Sequence, residues 1–504
     1  MLSLELSGCS NNSSQNNQDQ KSSNEKAGVI TASIGISASS FSPVGSTNPL
    51  VISANRHVLE GLYDVDLGNY RANAAIADGE PVKVGDLEYE IRIKKNKKFS
   101  DGSDLTIEDV VNAFQKNMAN DKFAPYLSFI ESVTPKDDST LIFKLKYPFD
   151  LLFKSRISIV KIFPASQSSQ DLISKPIGTG PWMYDSVNGA DGSKITFVPN
   201  QFYVGNNKVE DSQMEWTICV DDDERAASLE QGNVLVSENV NEKNASKITS
   251  SGKTIEYVPG FECPYLMFNT QKEPFNNVEV RQAIFYALDI DKLISEEMGS
   301  HAKSVSCFLP ESFANYHQTK TVFSFDKQKS MDLLKGAKLK CELLVDSSSL
   351  SGISTRIKDN LSSVAIDVTL REEVIDWDSI SSGGTTLNFD FLLSTSDPSF
   401  ICNDPDFLMS WWFGDSFWMR SLSGWAPSTE WQDLQVKLQS ARVEGDSNKQ
   451  QSLFSECFEI IASNCVTYPL CHRDIASAYN SPKLTNFTPI ATRGLNFLGS
   501  KLAS

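Results

Sequence analysis

A stretch at residues 175–185, KPIGTGPWMYD, contains two closely spaced glycines, Gly178 and Gly180, of the kind found in phosphate-binding loops. A dinucleotide-binding loop requires a third glycine three residues after the second, and this sequence has Met183 there. Pro181 also removes a backbone N–H that such a loop would direct at phosphate. The stretch therefore predicts the entry to a strand and not a phosphate site.

Residues that could catalyse a reaction are sparse. No His-Glu-x-x-His motif and no Gly-x-Ser-x-Gly motif occurs, and no Cys-x-x-Cys spacing is present among nine cysteines. Residues 221–224, DDDE, lack the spacing of a calcium loop and indicate a solvated helix start. The sequence thus predicts no cofactor and no metal. A dispersed Ser/His/Asp triad stays open, because triads form in space; the histidines are His57, His301, His317 and His472.

A cluster of large aromatic residues lies near residue 415. Four tryptophans fall within fifteen residues, in a segment rich in Gly, Ser and Asp. Such residues either fill a core or form the apolar wall of a binding cleft, and both interpretations stay open. If the cluster is a wall, Trp411 and Trp412 are its candidate ligand contacts.

The overall composition limits the class of protein. A chain of 504 residues is too long for one core and predicts two or three domains. Its formal net charge of -18 would repel a polyanion, so nucleic-acid binding is not expected. No stretch approaches the length of consecutive apolar residues that a membrane-spanning helix needs.

The first residues resemble a bacterial lipobox, Leu6-Ser7-Gly8-Cys9, in which Cys9 would carry the lipid. The sixteen residues at 11–26 contain no apolar side chain and predict a flexible tether between an anchor and a folded body. A lipobox normally follows a basic, apolar signal segment, which this sequence does not contain. We therefore expect either a trimmed chain or a start codon placed late.

The elements that must position any site alternate between strands and helices. Residues 29–36 and 87–93 have strand periodicity, whereas residues 107–118 place apolar side chains on one helical face. Two later helices are predicted to begin with capping boxes, Thr429 with Gln432 and Ser447 with Gln450. The pattern predicts a mixed α/β protein with two or more lobes.

Several short motifs in one order resemble a known family, the extracytoplasmic solute-binding proteins of oligopeptide and dipeptide ABC transporters. The likeness extends from about residue 27 to near the end of the chain. The motifs are EGLY at 60–63, FSDGS at 99–103 followed by TIEDV at 106–110, GTGP at 178–181 with NQFY at 200–203, FNT at 268–270, PF at 274–275, VRQAI at 280–284 and ALD at 287–289.

The resemblance implies a type II periplasmic-binding-protein fold of the three-domain oligopeptide-binder class, with a hinged cleft between two lobes. It also implies that the GTGP segment crosses between the lobes, with Gly178 and Gly180 serving backbone geometry. Domain I would comprise residues 27–48, 166–258 and 471–504. Domain II would comprise residues 49–165 and domain III residues 259–470, after a lipobox and tether at 1–26.

The resemblance also implies ligand-binding positions. Ser40, Phe41 and Ser42 match a domain I loop that meets the ligand, and Arg356 lies near the position of a carboxylate-binding arginine. Four residues before the prolines of two Asp-Pro pairs stand Ser394 and Ile401, where the family has an ammonium-binding aspartate, so Asp397 is the candidate replacement. In some members a disulfide joins positions near Cys263 and Cys402, which predicts that pair.

The implied function is the capture of short peptides and their delivery, chemically unchanged, to a membrane permease. The chain would be a monomer, exported and lipid-anchored to a bacterial membrane. Cell-wall peptides or a metal chelate are alternative ligands for the same fold. A peptide hydrolase with a dispersed triad and a sensor or adhesion protein without a transport role are alternatives of other classes.

Overall fold

The structure is a computed structural model that describes residues 28–188, 193–346, 350–381, 386–426 and 428–503. The predicted lipidation site at Cys9 and the tether lie outside these residues. Within the described ranges, no helix combines the length and apolar content that a membrane crossing requires.

Strands and helices alternate along the chain. The strands are β1 (Val29–Ile34), β2 (Tyr63–Val65), β3 (Ala72–Ala74), β4 (Val82–Gly85), β5 (Glu88–Arg92), β6 (Ile130–Asp137), β7 (Thr140–Leu145), β8 (Trp182–Asn188), β9 (Lys194–Pro199), β10 (Gln213–Ile218), β11 (Val236–Ser237), β12 (Thr254–Pro259), β13 (Cys263–Phe268), β14 (Ala302–Ser304), β15 (Leu339–Asp346), β16 (Ile366–Glu373), β17 (Phe391–Ser396), β18 (Thr467–Pro469), β19 (Cys471–Tyr479), β20 (Leu484–Thr485) and β21 (Lys501–Leu502). The α-helices are α1 (Pro49–Val58), α2 (Ile107–Met118), α3 (Ala124–Leu127), α4 (Phe153–Ile157), α5 (Ser169–Ser174), α6 (Asp222–Glu230), α7 (Glu242–Ser250), α8 (Val278–Ala287), α9 (Ile290–Glu297), α10 (Lys327–Leu334), α11 (Ser351–Ser362), α12 (Trp377–Ser381), α13 (Pro405–Phe413), α14 (Thr429–Val443) and α15 (Ser447–Asn464).

The largest sheet has the order β12-β19-β11-β1-β10-β9-β8, with β14 added on β19. Its strands come from separate stretches of the chain, and β1 lies near the centre, parallel to both β10 and β11. Ile30, Ala32 and Ile34 of β1 are fully buried, as expected for a central parallel strand. The chain end therefore returns, through β19, to the sheet in which the chain began.

A second, antiparallel sheet has the order β4-β5-β7-β6 and packs against α2. The predicted helix at 107–118 is confirmed as α2. Thr106 accepts a hydrogen bond from the backbone of Asp109, whose side chain in turn accepts one from the Thr106 backbone, forming a capping box. We refer to this sheet and the largest sheet together as the first lobe.

The third sheet, β16-β15-β17-β13-β18, forms the core of the second lobe. The helices predicted near Thr429 and Ser447 are present as α14 and α15, but the predicted capping boxes are wrong. Ser428 and Asp446 are the N-caps, because their side chains accept the first free backbone N–H groups, so Thr429 and Ser447 are instead the first helical residues.

Two short segments connect the lobes. Residues 260–262 join β12 to β13, and Leu470 joins β18 to β19. They run side by side, since the N–H of Leu470 donates to the Pro264 carbonyl (2.8 Å) and that of Arg473 to the Glu262 carbonyl (2.9 Å). Adjacent short connections are the usual form of a hinge. The predicted domain boundaries remain predictions.

The GTGP segment does not connect the lobes, which corrects the expectation for it. It leads from α5 into β8 within the first lobe and packs on the end of α1. A Cβ atom at Gly178 would lie 2.1 Å from the Val58 carbonyl oxygen, and one at Gly180 would lie 2.6 Å from that of His57. The glycines thus permit a close backbone approach, and the predicted strand entry is confirmed.

A candidate ligand-binding cleft

A cavity of about 1420 Å³ lies between the two lobes. The loop after β1 contributes Ser40 and Ser42, and the segment around α3 contributes Tyr126 from the same lobe. The second lobe contributes the end of β17 and residues around α12 and α13. This volume exceeds that of most cavities for drug-sized ligands, so the cleft has room for an extended small molecule.

One wall of this cavity is the edge of a strand. β17 pairs with β13 along its whole length, but its pairing with β15 covers only Phe391 to Leu393. Ser394, Thr395 and Ser396 line the cavity, and among the described residues no strand pairs with them on the β15 side. Backbone N–H and C=O groups on such an edge can pair with another extended chain.

Asp346, at the end of β15, holds two groups of this wall in place. Its Oδ2 atom accepts hydrogen bonds from the Ser394 hydroxyl (2.7 Å) and from the indole Nε1 of Trp377 (2.9 Å). The Trp377 ring in turn packs against Trp418, with 5.1 Å between ring centroids. The carboxylate therefore fixes the orientation of a hydroxyl and an indole that face the ligand space.

The aromatic cluster divides between core and cleft, so each interpretation of it holds for part of the cluster. Trp412 is 3% exposed and packs on Tyr265, with centroids 4.7 Å apart, so its predicted role as a ligand contact is wrong in this structure. Trp411 lines the cavity and stacks parallel to Tyr126 of the first lobe, at 6.3 Å and 17°. The Trp411 Nε1 atom has no hydrogen-bond partner among the residues described.

A buried ionic network closes one side of the cavity. Arg156 of α4 donates to both carboxylate oxygens of Asp404 (2.9 and 2.8 Å) and to Asp406 (2.8 Å). Arg442 of α14 donates to the other Asp406 oxygen (2.7 Å). Burial raises the pKa of Asp406, but the two guanidinium groups outweigh it and the pKa is lowered. The network therefore stays ionised and joins the two lobes.

The predicted ligand loop is only partly exposed to the cavity. Ser40 and Ser42 line it, and the Ser40 hydroxyl accepts a hydrogen bond from the Ser42 backbone (3.3 Å). Phe41 is 2% exposed and packs edge-on against Tyr184, with centroids 5.8 Å apart. Phe41 thus anchors the loop in the core and does not reach the cavity, contrary to its predicted role.

Two predicted charged contacts lie elsewhere, and both predictions are corrected. Asp397 is buried outside the cavity lining, where its Oδ1 atom accepts from the Ser399 backbone (2.8 Å) and hydroxyl (2.5 Å). Burial raises its pKa to about 7. Arg356 of α11 is tied to α9 through Glu296 (2.9 Å) and Glu297 (3.0 Å) and does not line the cavity. Local contacts thus hold both side chains away from the cavity, with Arg356 in two ion pairs and one oxygen of Asp397 bonded to Ser399.

The predicted disulfide is not formed, because Cys263 and Cys402 are both free thiols. Cys402 faces the ionic network, with its sulfur 3.1 Å from Asp404 Oδ2, whereas the Cys263 sulfur lies 3.8 Å from the Ser396 carbonyl oxygen. The two side chains therefore point to different neighbours. Burial raises the pKa of each thiol.

No histidine lines the cleft, although all four are among the described residues. His57 is fully buried: one ring nitrogen lies 2.8 Å from the Ser53 carbonyl oxygen and the other accepts from the Phe497 backbone (2.8 Å). Burial lowers its pKa to about 3. A Ser/His/acid triad is therefore not assembled in this cavity.

Sequence reasoning missed the residues that organise the site, namely Tyr126, Arg156, Asp346 and Trp377. They lie far apart in sequence and carry no shared motif. The Asp404-Pro405-Asp406 segment was the one available signal, since an aspartate before a proline and a helix is a typical N-cap. Its second role, as the partner of Arg156, depends on residues about 250 positions away.

Comparison with solved structures gives the class of fold. A Helicobacter pylori periplasmic binding protein, DppA, in complex with the peptide STSA has a TM-score of 0.79 at 20% identity, covering 94% of this chain and 98% of that one. The oligopeptide-binding protein AppA of Bacillus subtilis, in complex with a nonapeptide, also gives 0.79 at 18% identity, covering 95% and 100%. The predicted type II periplasmic-binding-protein fold is confirmed.

The family follows from the sequence itself. Residues 73–420 match the bacterial extracellular solute-binding proteins, family 5 Middle, and this is more than half of the chain. The protein therefore belongs to the family 5 extracellular solute-binding proteins, the substrate-binding components of transporters, and the resemblance drawn from its motifs is confirmed.

Two curated relatives match part of the chain. The glutathione-binding protein GsiB of Salmonella typhimurium is 23% identical over 317 residues, and that of Pectobacterium atrosepticum is 26% identical over 315 residues. The chain spans about 61% of the length of the first and 60% of the second.

Proposed function

We propose that this protein captures short peptides between its lobes and delivers them, chemically unchanged, to the permease of an ABC importer. The observation that carries the proposal is the unpaired edge of β17 at residues 394–396, on the wall of a cavity of about 1420 Å³. An extended peptide presents backbone groups that such an edge can pair without recognising the side chains.

The rest of the cavity supports a ligand with varied side chains. Trp377, Trp411 and Trp418 provide apolar surface, whereas Ser40 and Ser42 provide hydroxyl groups on the opposite lobe. Large flat rings accept many side chains at a small cost in conformational entropy. Affinity would come from the peptide backbone and specificity from these walls.

A carboxylate on the second lobe can bind the peptide's ammonium group. Asp376 lines the cavity beside Trp377 and is exposed to solvent within it. It replaces Asp397 as the candidate, because Asp397 is buried away from the ligand space. Charge-assisted hydrogen bonds of this kind are about twice as strong as neutral ones.

Native mass spectrometry and thermal unfolding test the proposal. An equimolar library of di- to pentapeptides with free termini is expected to raise the unfolding temperature, because a ligand that binds only the folded state stabilises it. Peptide masses should be retained and unaltered after incubation. Absence of any peptide-dependent shift would refute the proposal, and cleavage products would favour the hydrolase alternative.

The same experiment addresses the other ligands. Glutathione, itself a tripeptide, is included as a separate probe because the curated relatives are named as glutathione-binding proteins. A histidine complex of nickel tests the metal-chelate alternative, since a NikA structure from Staphylococcus aureus with Ni(L-His)2 shares the fold at a TM-score of 0.78. A purified permease that fails to bind the loaded protein would favour a sensor role.

We also propose that the protein is exported, lipid-anchored through Cys9 and monomeric. The lipobox-like Leu6-Ser7-Gly8-Cys9 and the apolar-free segment that follows it support anchoring. Growth with an alkyne fatty acid should label the natural precursor, expressed with its own leader, and Cys9→Ser should abolish labelling. Labelling that persists in the variant would refute the assignment of Cys9.

A further inference from the structure

A second cavity, of about 640 Å³, lies beside the first. Ser46 lines both cavities, so they are adjacent. The second cavity is enclosed by α1, by the segment around β2 and β3, and by residues 399–403 of the second lobe. It is therefore also an interlobe space, with walls from both lobes.

Most charged residues of this cavity are engaged by other protein groups. Lys97 forms an ion pair with Glu60, and Lys161 forms one with Asp64. Arg56, in the last turn of α1, also lines the cavity, and among the described residues its guanidinium has no hydrogen bond, ion pair or ring contact. It interacts electrostatically with Asp64, but that carboxylate is already paired with Lys161. A partly buried guanidinium without a hydrogen-bond partner lowers the stability of the folded protein, because it has lost hydration without gaining hydrogen bonds.

The overall charge of the cavity has the opposite sign to that of the protein. Its lining carries four cationic side chains, of Arg56, Lys94, Lys97 and Lys161, against three carboxylates, of Glu60, Asp64 and Asp66. The whole chain has a formal net charge of -18. A local excess of positive charge in an acidic protein favours an anionic group at this place.

A second unsatisfied donor borders the same cavity. Asn403 lines it and is 3% exposed, and its side-chain Nδ2 atom has no hydrogen-bond partner within the part of the chain that the structure describes. Rotation of the amide exchanges its nitrogen and oxygen, so the amide can present a donor to the cavity. Arg56 and Asn403 come from different lobes, and a ligand that bridges them would hold the lobes together.

We propose that the second cavity is a subsite for a carboxylate group, with Arg56 as its counter-charge and Asn403 as a second donor. A guanidinium fork matches the two oxygens of a carboxylate. The carboxylate belongs either to the C-terminus of a peptide that also occupies the larger cavity, which rests on the proposed function, or to a separate small anion.

Thermal unfolding and calorimetry of the full chain at low ionic strength test the subsite. The probes are the peptide library with free C-termini, the same library with C-terminal amides, and acetate alone. The variants are Arg56→Gln, which removes the charge, and Arg56→Lys, which keeps a charge at the end of the helix but loses the fork. Arg92→Gln, at an exposed position on β5, is the matched control.

If the subsite takes the peptide terminus, the free-acid library stabilises the wild type more than the amide library. Arg56→Gln should abolish that difference, weaken binding of the free acids by about tenfold or more, and leave the ligand-free unfolding temperature unchanged or higher. Arg56→Lys should restore only part of the affinity. If acetate alone stabilises the wild type but not Arg56→Gln, the subsite holds a separate anion.

The subsite is refuted if free acids, amides and acetate all act equally on the wild type and Arg56→Gln. It is also refuted if Arg56→Gln lowers the ligand-free unfolding temperature and Arg56→Lys restores it, since that pattern marks a cation that stabilises the helix end. Equal stabilisation by both libraries would leave the proposed peptide-binding function intact. Stabilisation by acetate alone, through Arg56, would support the subsite and refute peptide binding.

Discussion

Arg156 donates two parallel hydrogen bonds to the carboxylate of Asp404, from Nε (2.9 Å) and Nη2 (2.8 Å), although the two residues are 248 positions apart. Both side chains are at most 4% exposed. The pair connects α4 of the first lobe to the N-cap of α13 in the second lobe. A buried ion pair thus joins the two lobes beside the ligand cavity.

Removing the arginine should destabilise the closed protein. Arg156→Met would leave Asp404 and part of Asp406 buried without a counter-charge, which costs about 3–5 kcal/mol in the free energy of unfolding. Urea unfolding measures the loss. Lys154→Met, on the same helix but in a more exposed pair with Glu80, is the control and should cost under about 1 kcal/mol. Equal losses for the two variants would contradict this assignment.

Trp411 should contribute to ligand affinity more than to folding. It lines the cavity and stacks on Tyr126 across the lobes, so Trp411→Ala should weaken peptide binding by about tenfold or more. Calorimetric titration with the peptide library measures this. Trp431→Phe is the control, because Trp431 is buried and its Nε1 atom donates to the Phe413 carbonyl (2.9 Å). If Trp431→Phe alone weakens binding, Trp411 is not part of the wall.

Asp397 should make the protein less stable as pH rises. Burial raises its folded-state pKa from 3.8 to about 7, so the folded state binds more protons than the unfolded state between those values. The stability that this difference in pKa contributes is fully present below pH 3.8 and is lost as pH rises through about 7. The free energy of unfolding falls by about 4 kcal/mol as a result.

Asp397→Asn should therefore raise the unfolding temperature at pH 8 and change it little near pH 4. Thermal unfolding as a function of pH measures the difference. Asp367→Asn, on an exposed position of β16, should leave the pH profile unchanged. A wild-type profile that Asp397→Asn does not alter would show that this carboxyl is ionised at neutral pH in the folded protein.

Glu238 should have the opposite dependence. Burial raises its pKa, but Arg493 and the backbone N–H groups of Gly494 and Gly35 outweigh burial and lower it to about 2. Its stabilisation is therefore present above the unfolded pKa of 4.5 and is lost as pH falls toward 2, by about 3 kcal/mol.

Glu238→Gln should remove that part of the acid sensitivity and destabilise the protein at pH 7, because Arg493 loses its buried partner. Equilibrium unfolding at pH 7 and pH 3 measures both effects. Glu210→Gln, in an exposed pair with Lys501, is the control and should change neither value appreciably. Similar behaviour of the two variants would show that Glu238 is not strongly coupled to Arg493.

The thiols of Cys263 and Cys402 should be free and slow to react. Both are buried with raised pKa values, so little thiolate is present at neutral pH. Alkylation should be slow in the native protein and complete after denaturation without a reductant. A non-reducing peptide map that contains a Cys263–Cys402 linkage would contradict the structure and restore the predicted disulfide.

Much of the architecture could be predicted because its signals are local. The apolar face of α2 and the strand after Gly180 depend on periodicity and backbone sterics within a few residues. The motifs that resemble the family are likewise short segments, and they predict the fold without any knowledge of tertiary contacts. Where prediction failed locally, at Thr429 and Ser447, the error was one residue in the cap.

The site was predicted less well, because ligand contacts depend on which side chains other parts of the chain have already engaged. Arg356 and Asp397 have charges suited to binding a peptide's ends. Arg356, however, is already paired with Glu296 and Glu297. Asp397 accepts a hydrogen bond from the Ser399 backbone. Conversely, nothing near Arg56 in sequence distinguishes it from other arginines, and only the folded arrangement places it on the wall of an interlobe cavity.

The sequence by itself determined the helices and strands, the two-lobed class and the family. Each of these follows from patterns within short segments, which can be recognised without knowing the tertiary contacts. The tertiary structure alone decided which of two adjacent tryptophans faces the ligand space, which arginine bridges the lobes and which one lines the second cavity. The physical reason is that burial and charge pairing are set by residues hundreds of positions apart, and a linear pattern carries no record of them.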